Sequence, residues 1–200
     1  MKKLVLVIPI LVAVVVLTAC SSRQKPLVVT QEDTALITQY QANIATVDSE
    51  VATDVEKSKV VVLSDNGSVY YYGADGKRYI FPTQETFASW FGDYVPAKSL
   101  PLEEMQKVPL GGNVTMKPGT LLTTESDPKI YLITQDSTIS PVDERVLEVV
   151  YGKDYKNRVI DIPNYYFTNY SYGPEIITVD GFPDIEEGLT IDYLKGLHAQ

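Results

Sequence analysis

The hydrophobic positions change period several times along the chain. Residues 4–17 are an unbroken apolar run, bounded by Lys2 and Lys3 on one side and Cys20 on the other. Residues 34–58 carry Ile37, Tyr40, Ile44, Val47, Val51 and Val55 at intervals of three or four, which predicts an amphipathic helix with Asp33 or Thr34 as its cap. From Val60 the period shortens. Val60 to Leu63 reads as a strand, ended by the turn residues Ser64 to Gly67. The runs SVYYY and KRYIF flank Gly73-Ala74-Asp75-Gly76 and predict a β-hairpin. Pro82 stops the second strand. Thr83 caps a predicted helix over 84–91, with Phe87, Trp90 and Phe91 on one face and Gly92 at its end. A further short helix begins at Leu100-Pro101-Leu102 and is closed by Pro109 and Gly111-Gly112.

The same order then returns. Lys129 to Ile133 aligns with Ser68 to Tyr72, and Ile139-Ser140-Pro141 with Ile80-Phe81-Pro82, after a hairpin read as two residues shorter. Val146, Val149 and Val150 stand for Phe87, Trp90 and Phe91. Ile162-Pro163 stands for Leu100-Pro101, Phe167 for Met105, and Tyr172-Gly173 for Leu110-Gly111. A period of about sixty residues predicts a tandem duplication. The expected architecture is α+β: two hairpin-plus-helix units, 59–118 and 119–174, preceded by a leader (1–19), a tether (20–33) and the helix 34–58. A strand and helix follow in 175–200.

The N-terminal run is too short for a membrane span, which needs about 20 residues, and has the length of a signal-peptide core. It leads into Leu17-Thr18-Ala19-Cys20, which resembles the lipobox of bacterial lipoproteins. That resemblance implies cleavage before Cys20, acylation of its thiol, and an extracytoplasmic body held to a membrane by lipid. Two or three acyl chains hold a protein stably where one does not. The net charge is −9, and removing Lys2 and Lys3 with the leader takes it to −11. So acidic a body repels phosphate backbones, which argues against a nucleic-acid partner. A single cysteine allows no intramolecular disulfide.

The stretch from Gly67 to Tyr94, with the following SLPLEEMQKVPLGGNVTMKPGT and DPKIYLI, resembles repeats of extracellular and S-layer-like proteins of candidate-phylum bacteria. The resemblance covers about residues 60–174. It implies a surface-associated protein and brings no catalytic residues with it. In the second unit Ser137-Thr138 is read in the place of Lys77-Arg78.

Candidate chemistry is sparse. The one histidine, His198, lies in the tail, so His-dependent triads and zinc sites lack partners, and no cofactor or metal is expected. The pairs Glu103-Glu104 and Glu186-Glu187 leave a carboxylate-dependent hydrolase of wall polymers as an alternative. Asp65-Asn66-Gly67 reads as a turn before it reads as a Ca²⁺ loop, because it lacks the spaced ligands of an EF-hand. Fourteen tyrosines stand out. Alternation places Tyr71 opposite Tyr70 and Tyr72 on their strand, and an outward Tyr71 beside Lys77 and Arg78 forms the candidate surface patch. A second aromatic group is Tyr165, Tyr166, Phe167, Tyr170 and Tyr172. The expected role is a non-catalytic module that binds or packs against envelope glycan or surface protein. An accessory lipoprotein subunit of a membrane complex is a further alternative.

Overall fold

A computed structural model describes residues 27–50, 52–135, 137–186 and 189–197. The leader, Cys20 and the first half of the tether, to residue 26, lie outside the described residues, as does His198. The fold is α+β, with two five-stranded mixed sheets.

The predicted helix 34–58 is two helices, α1 (Gln31–Ser49) and α2 (Asp54–Ser58). Each starts with its own capping box, Thr30 with Asp33 and Thr53 with Glu56. Between them the backbone is extended at Glu50 and Thr53, and the apolar stripe lapses, since Val55 is 67% exposed. Asp33 is thus the third helical residue and Thr30 the cap. Tyr40, Ile44 and Val47 bury their face of α1 on the second unit, so α1 packs on the body.

The first unit contains β1 (Val60–Leu63), β2 (Val69–Tyr72), β3 (Arg78–Ile80), α3 (Gln84–Phe91), β4 (Ser99–Leu100), α4 (Leu102–Met105) and β5 (Leu110–Asn113). In the second are β6 (Leu121–Thr124), β7 (Asp127–Ile133), β8 (Thr138–Pro141), α5 (Glu144–Tyr151), β9 (Val159–Asp161) and β10 (Ser171–Tyr172). Two 3₁₀ helices, Tyr155–Arg158 and Asn164–Asn169, flank β9. The sheets run β4-β1-β2-β3-β5 and β9-β6-β7-β8-β10. Each has an antiparallel three-stranded centre and a parallel strand on either edge. Strand for strand the two orders are the same.

Register refines the alignment of the units. Tyr71 pairs with Val60 and Tyr79, and Leu132 pairs with Leu121 and Ser140, so Tyr71 corresponds to Leu132 and Tyr79 to Ser140. Tyr72 pairs with Arg78, and Ile133 with Ile139. The two hairpins are therefore equal in length, and Arg78 corresponds to Ile139. The length difference falls after the hairpin, where Pro82-Thr83 precedes α3 and Asp143 alone caps α5. With eight residues in each helix, Trp90 corresponds to Val150 and Phe87 to Leu147, one place from the sequence alignment. Burial agrees, since Val146, Leu147 and Val150 face inward while Val149 is half-buried. Beyond the helices the sequence alignment holds: Leu110 and Tyr172 take equivalent edge positions opposite Arg78 and Ile139. Next to them, Gly111 and Gly173 are glycine for one reason. A Cβ on Gly111 would lie 2.5 Å from the Tyr79 ring, and one on Gly173 would meet Ser140, the residue equivalent to Tyr79.

Each sheet is covered on both faces. In the first, Val60, Tyr71, Tyr79, Trp90 and Phe91 pack together on one side, and Val61, Leu63 and Met105 on the other. In the second, Leu121 and Leu132 meet α1 and α5, while Leu122, Tyr131, Ile133 and Ile139 surround Phe167.

The C-terminal segment departs from expectation. In place of a strand over 175–179 there is one bridge, Val142 to Ile176. The last helix, α6, is Ile191–Leu197 rather than one starting at Ile185. This segment is a strap. Ile176, Val179, Phe182 and Ile185 fill the core of the second unit, and Ile191 and Leu194 fill that of the first. Asp192 fastens its end: it accepts from the Lys59 ammonium, the Tyr71 hydroxyl at 3.0 Å and the Ala74 amide at 2.7 Å. Burial pushes its carboxyl up, but the bonds from Lys59, Ala74 and Tyr71 outweigh it and hold the group below the usual carboxylate value.

A depressed folded-state pKa contributes stability above the unfolded value near 3.9 and loses it as pH falls through the folded one. Asp192→Asn is therefore expected to cost about 1.5–3 kcal/mol at pH 7, from weakened charged hydrogen bonds. The gap from wild type should narrow as pH drops below about 4. Thermal melts of both proteins from pH 7 to pH 3 read this directly, and a gap constant with pH would refute it.

Candidate functional site

The patch expected from the sequence does not assemble. Tyr71 is 0% exposed, and its hydroxyl is spent on Asp192. Alternation along β2 is as expected, with Tyr70 and Tyr72 on the other face. The correction concerns which face is wet, since α3 and α6 cover the Tyr71 side. Arg78 is also a structural residue. Its guanidinium lies over the Tyr70 ring and donates to the carbonyls of Met105 and Val108 at 2.7 and 2.8 Å, closing the end of α4. Lys77 alone is exposed.

The second aromatic group divides. Phe167 packs edge-on against Tyr131 in the core. Tyr166 donates to the Pro82 carbonyl of the first unit at 2.9 Å, and the Tyr170 hydroxyl accepts from the Met116 amide at 3.1 Å. Tyr165 and Tyr172 stand about two-thirds exposed.

These bonds belong to a seam between the units. The chain crosses it through Val114, Thr115 and Met116, all buried. Trp90 donates its indole N–H to the Thr115 carbonyl at 2.8 Å. The Thr115 and Ser137 hydroxyls share a hydrogen bond of 2.8 Å, and Asn113 donates to Asn169 at 2.7 Å. Ser137 is buried with φ of 59°, a left-handed conformation that costs a non-glycine residue energy and is held by its surroundings.

A groove of about 350 Å³ opens along this seam, bordered by Lys77, Tyr79, Asn113, Thr168, Asn169 and Ser171 among others. Its size falls in the range of small-ligand sites, about 300–1,000 Å³. Asn169 uses its oxygen to accept from Asn113, which leaves its amide N–H pair for another acceptor. Tyr79 is clamped between Gly73 and Gly111, and its hydroxyl donates to Asp75 at 2.5 Å. Burial first, then that bond, pushes the phenol up to about 12, so it stays neutral. The sequence singled out Lys77 and Tyr170 of its lining but not the groove itself, because its walls come from residues about sixty positions apart.

A larger groove, about 760 Å³, lies beside Trp90, Phe91 and Tyr94 at the end of α1. Two of its cations are already engaged with acids of the same groove. The Lys117 ammonium is bound to the Val47 carbonyl and Glu50, and Arg158 to Asp48. The Tyr151 hydroxyl donates to the Gly119 carbonyl. The smaller groove is therefore the candidate site on chemical grounds, despite its volume. Among the described residues, no group of three or more His, Cys, Asp or Glu side chains could hold a metal ion, and no helix is long and apolar enough to cross a membrane.

No family model matches the chain, and no curated protein matches it. Among solved structures, it is similar to the periplasmic assembly from the ESX-5 inner membrane complex, at 13% identity and a TM-score of 0.25. The match covers 66% of this chain and 37% of that one, so the chain spans little more than a third of its neighbour's length.

Proposed function

We propose that this protein is a lipid-anchored surface module that binds envelope glycan in the groove between its two units, without catalysis. The observation that carries the reading is the groove's lining. Among the described residues it offers amides, hydroxyls and one ammonium, and no carboxylate. Such a set suits the hydroxyls and amides of a saccharide, whereas glycoside hydrolysis calls for two facing acids. Anchoring rests on the lipobox, through acyl chains on Cys20.

Pelleting with purified cell wall tests the binding. The full-length protein in detergent is expected to sediment with wall, and Asn169→Ala to reduce the bound fraction several-fold. An unbound wild type that instead co-purifies with one stoichiometric partner would favour an accessory subunit of a membrane complex. Release of soluble sugar from the wall would favour a hydrolase. The anchor has its own test: Cys20→Ala is expected to leave an unprocessed precursor or to move the protein out of the detergent phase. Normal cleavage and partitioning of that variant would rule out lipidation.

A further inference from the structure

The groove's charge is unlike that of the rest of the chain. The sequence has 26 acidic residues against 17 lysines and arginines. Even so, the described residues bordering the groove include one cation, Lys77, and no aspartate or glutamate. The nearest acid to that ammonium is Asp75, at 3.8 Å. The two are ion-paired, and Asp75 also accepts from the Tyr79 hydroxyl on the same oxygen and from the Lys77 backbone amide on the other. The Lys77 side chain is about half exposed, so its ammonium keeps donors for a ligand.

We propose that the ligand of this groove is a sugar carrying a single carboxylate, with the acid on the Lys77 ammonium and hydroxyl or amide groups on Asn169 and Ser171. The inference rests on the glycan reading and narrows it. One ammonium matches one negative charge. A phosphate dianion is better met by the bidentate fork of arginine, and the nearest arginine, Arg78, is committed to the carbonyls of Met105 and Val108. The same lysine opposes binding of other cations, so the groove also discriminates by sign. The hairpin fixes the site: Lys77 sits at the end of the β2–β3 loop, one residue before Arg78 pairs with Tyr72. The second unit has Thr138 there, so the duplicated fold carries this charge in one copy only.

Calorimetric titration of the full-length protein in detergent micelles tests the inference, using a tetrasaccharide with one uronic acid unit and its carboxyl-reduced, neutral counterpart. The acidic probe is expected to bind roughly tenfold more tightly, the effect of one charge-assisted hydrogen bond. Lys77→Met should bring it down to the affinity of the neutral probe, without changing the melting temperature. Asn169→Ala should weaken both probes. Equal affinity for the two probes, unaltered by Lys77→Met, would overturn the acidic-sugar inference and leave the glycan reading standing. Failure of both probes also overturns the inference, and wall pelleting then decides separately whether the glycan reading survives.

Discussion

A chain ending at Pro174 is expected not to fold. Such a truncation keeps all ten strands and both hairpins, but it removes Ile176, Val179, Phe182, Ile185, Ile191 and Leu194, each no more than 5% exposed. Burial of a large apolar side chain contributes about 1.5–3 kcal/mol, so these six contribute roughly 9–18 kcal/mol, an upper estimate because unfolded chains bury some surface too. A domain's whole stability is about 5–15 kcal/mol. The loss also orphans the Tyr71 hydroxyl inside the first core, along with the Lys59 ammonium and the Ala74 amide. Trp90 is the single tryptophan and reports the outcome. Its emission should move to that of a solvated indole, with loss of a cooperative melt by circular dichroism. A truncated protein that melts within a few degrees of the full chain would show that the strap is dispensable.

Trp90→Ala is expected to cost about 3–5 kcal/mol, the usual range for emptying a buried tryptophan site. At roughly 2–4 °C per kcal/mol for a chain of this size, the melting temperature should fall on the order of 10 °C. The position does more than fill space. Its indole N–H is bound to the Thr115 carbonyl, and the Thr115 side chain holds the strained Ser137 across the seam. Its counterpart Val150 has no such bond to make, because the crossing segment lies beside the first unit only. Trp90→Phe separates the two contributions: it keeps most of the volume and leaves the carbonyl unpaired, at a cost of about 1–3 kcal/mol. If Trp90→Phe matches wild type in both melting and wall binding, the indole bond does not position the seam.

Local signals proved readable where one residue acts on its own neighbours. Thr83 and Gly92 bound α3 as their cap preferences predict, and Gly67 and Gly76 of the hairpin turns have positive φ. The common order of elements in the two units was legible because turns, prolines and apolar runs recur. Their register was not, since a one-residue difference between Phe81 and α3 looks, in one dimension, like a difference in hairpin length. Tyr71 shows a second limit. A period of two says which residues share a face, not which face another element will cover, and the cover here comes from residues 191–194, some 120 positions away. The groove was hidden for the same reason, as Asn113 and Asn169 become neighbours only when the two units pack.

The strap also sets the order of events in the life of the chain. Its apolar residues complete both cores, yet they are the last part of the body to be made. A chain growing from its N-terminus therefore possesses every strand by Tyr172 and still lacks the residues that seal either unit. The second unit's core has all its residues by Ile185, whereas the first unit's must wait for Ile191 and Leu194. The unit made first is thus the last to close, and its core depends on residues made after the whole of the second unit.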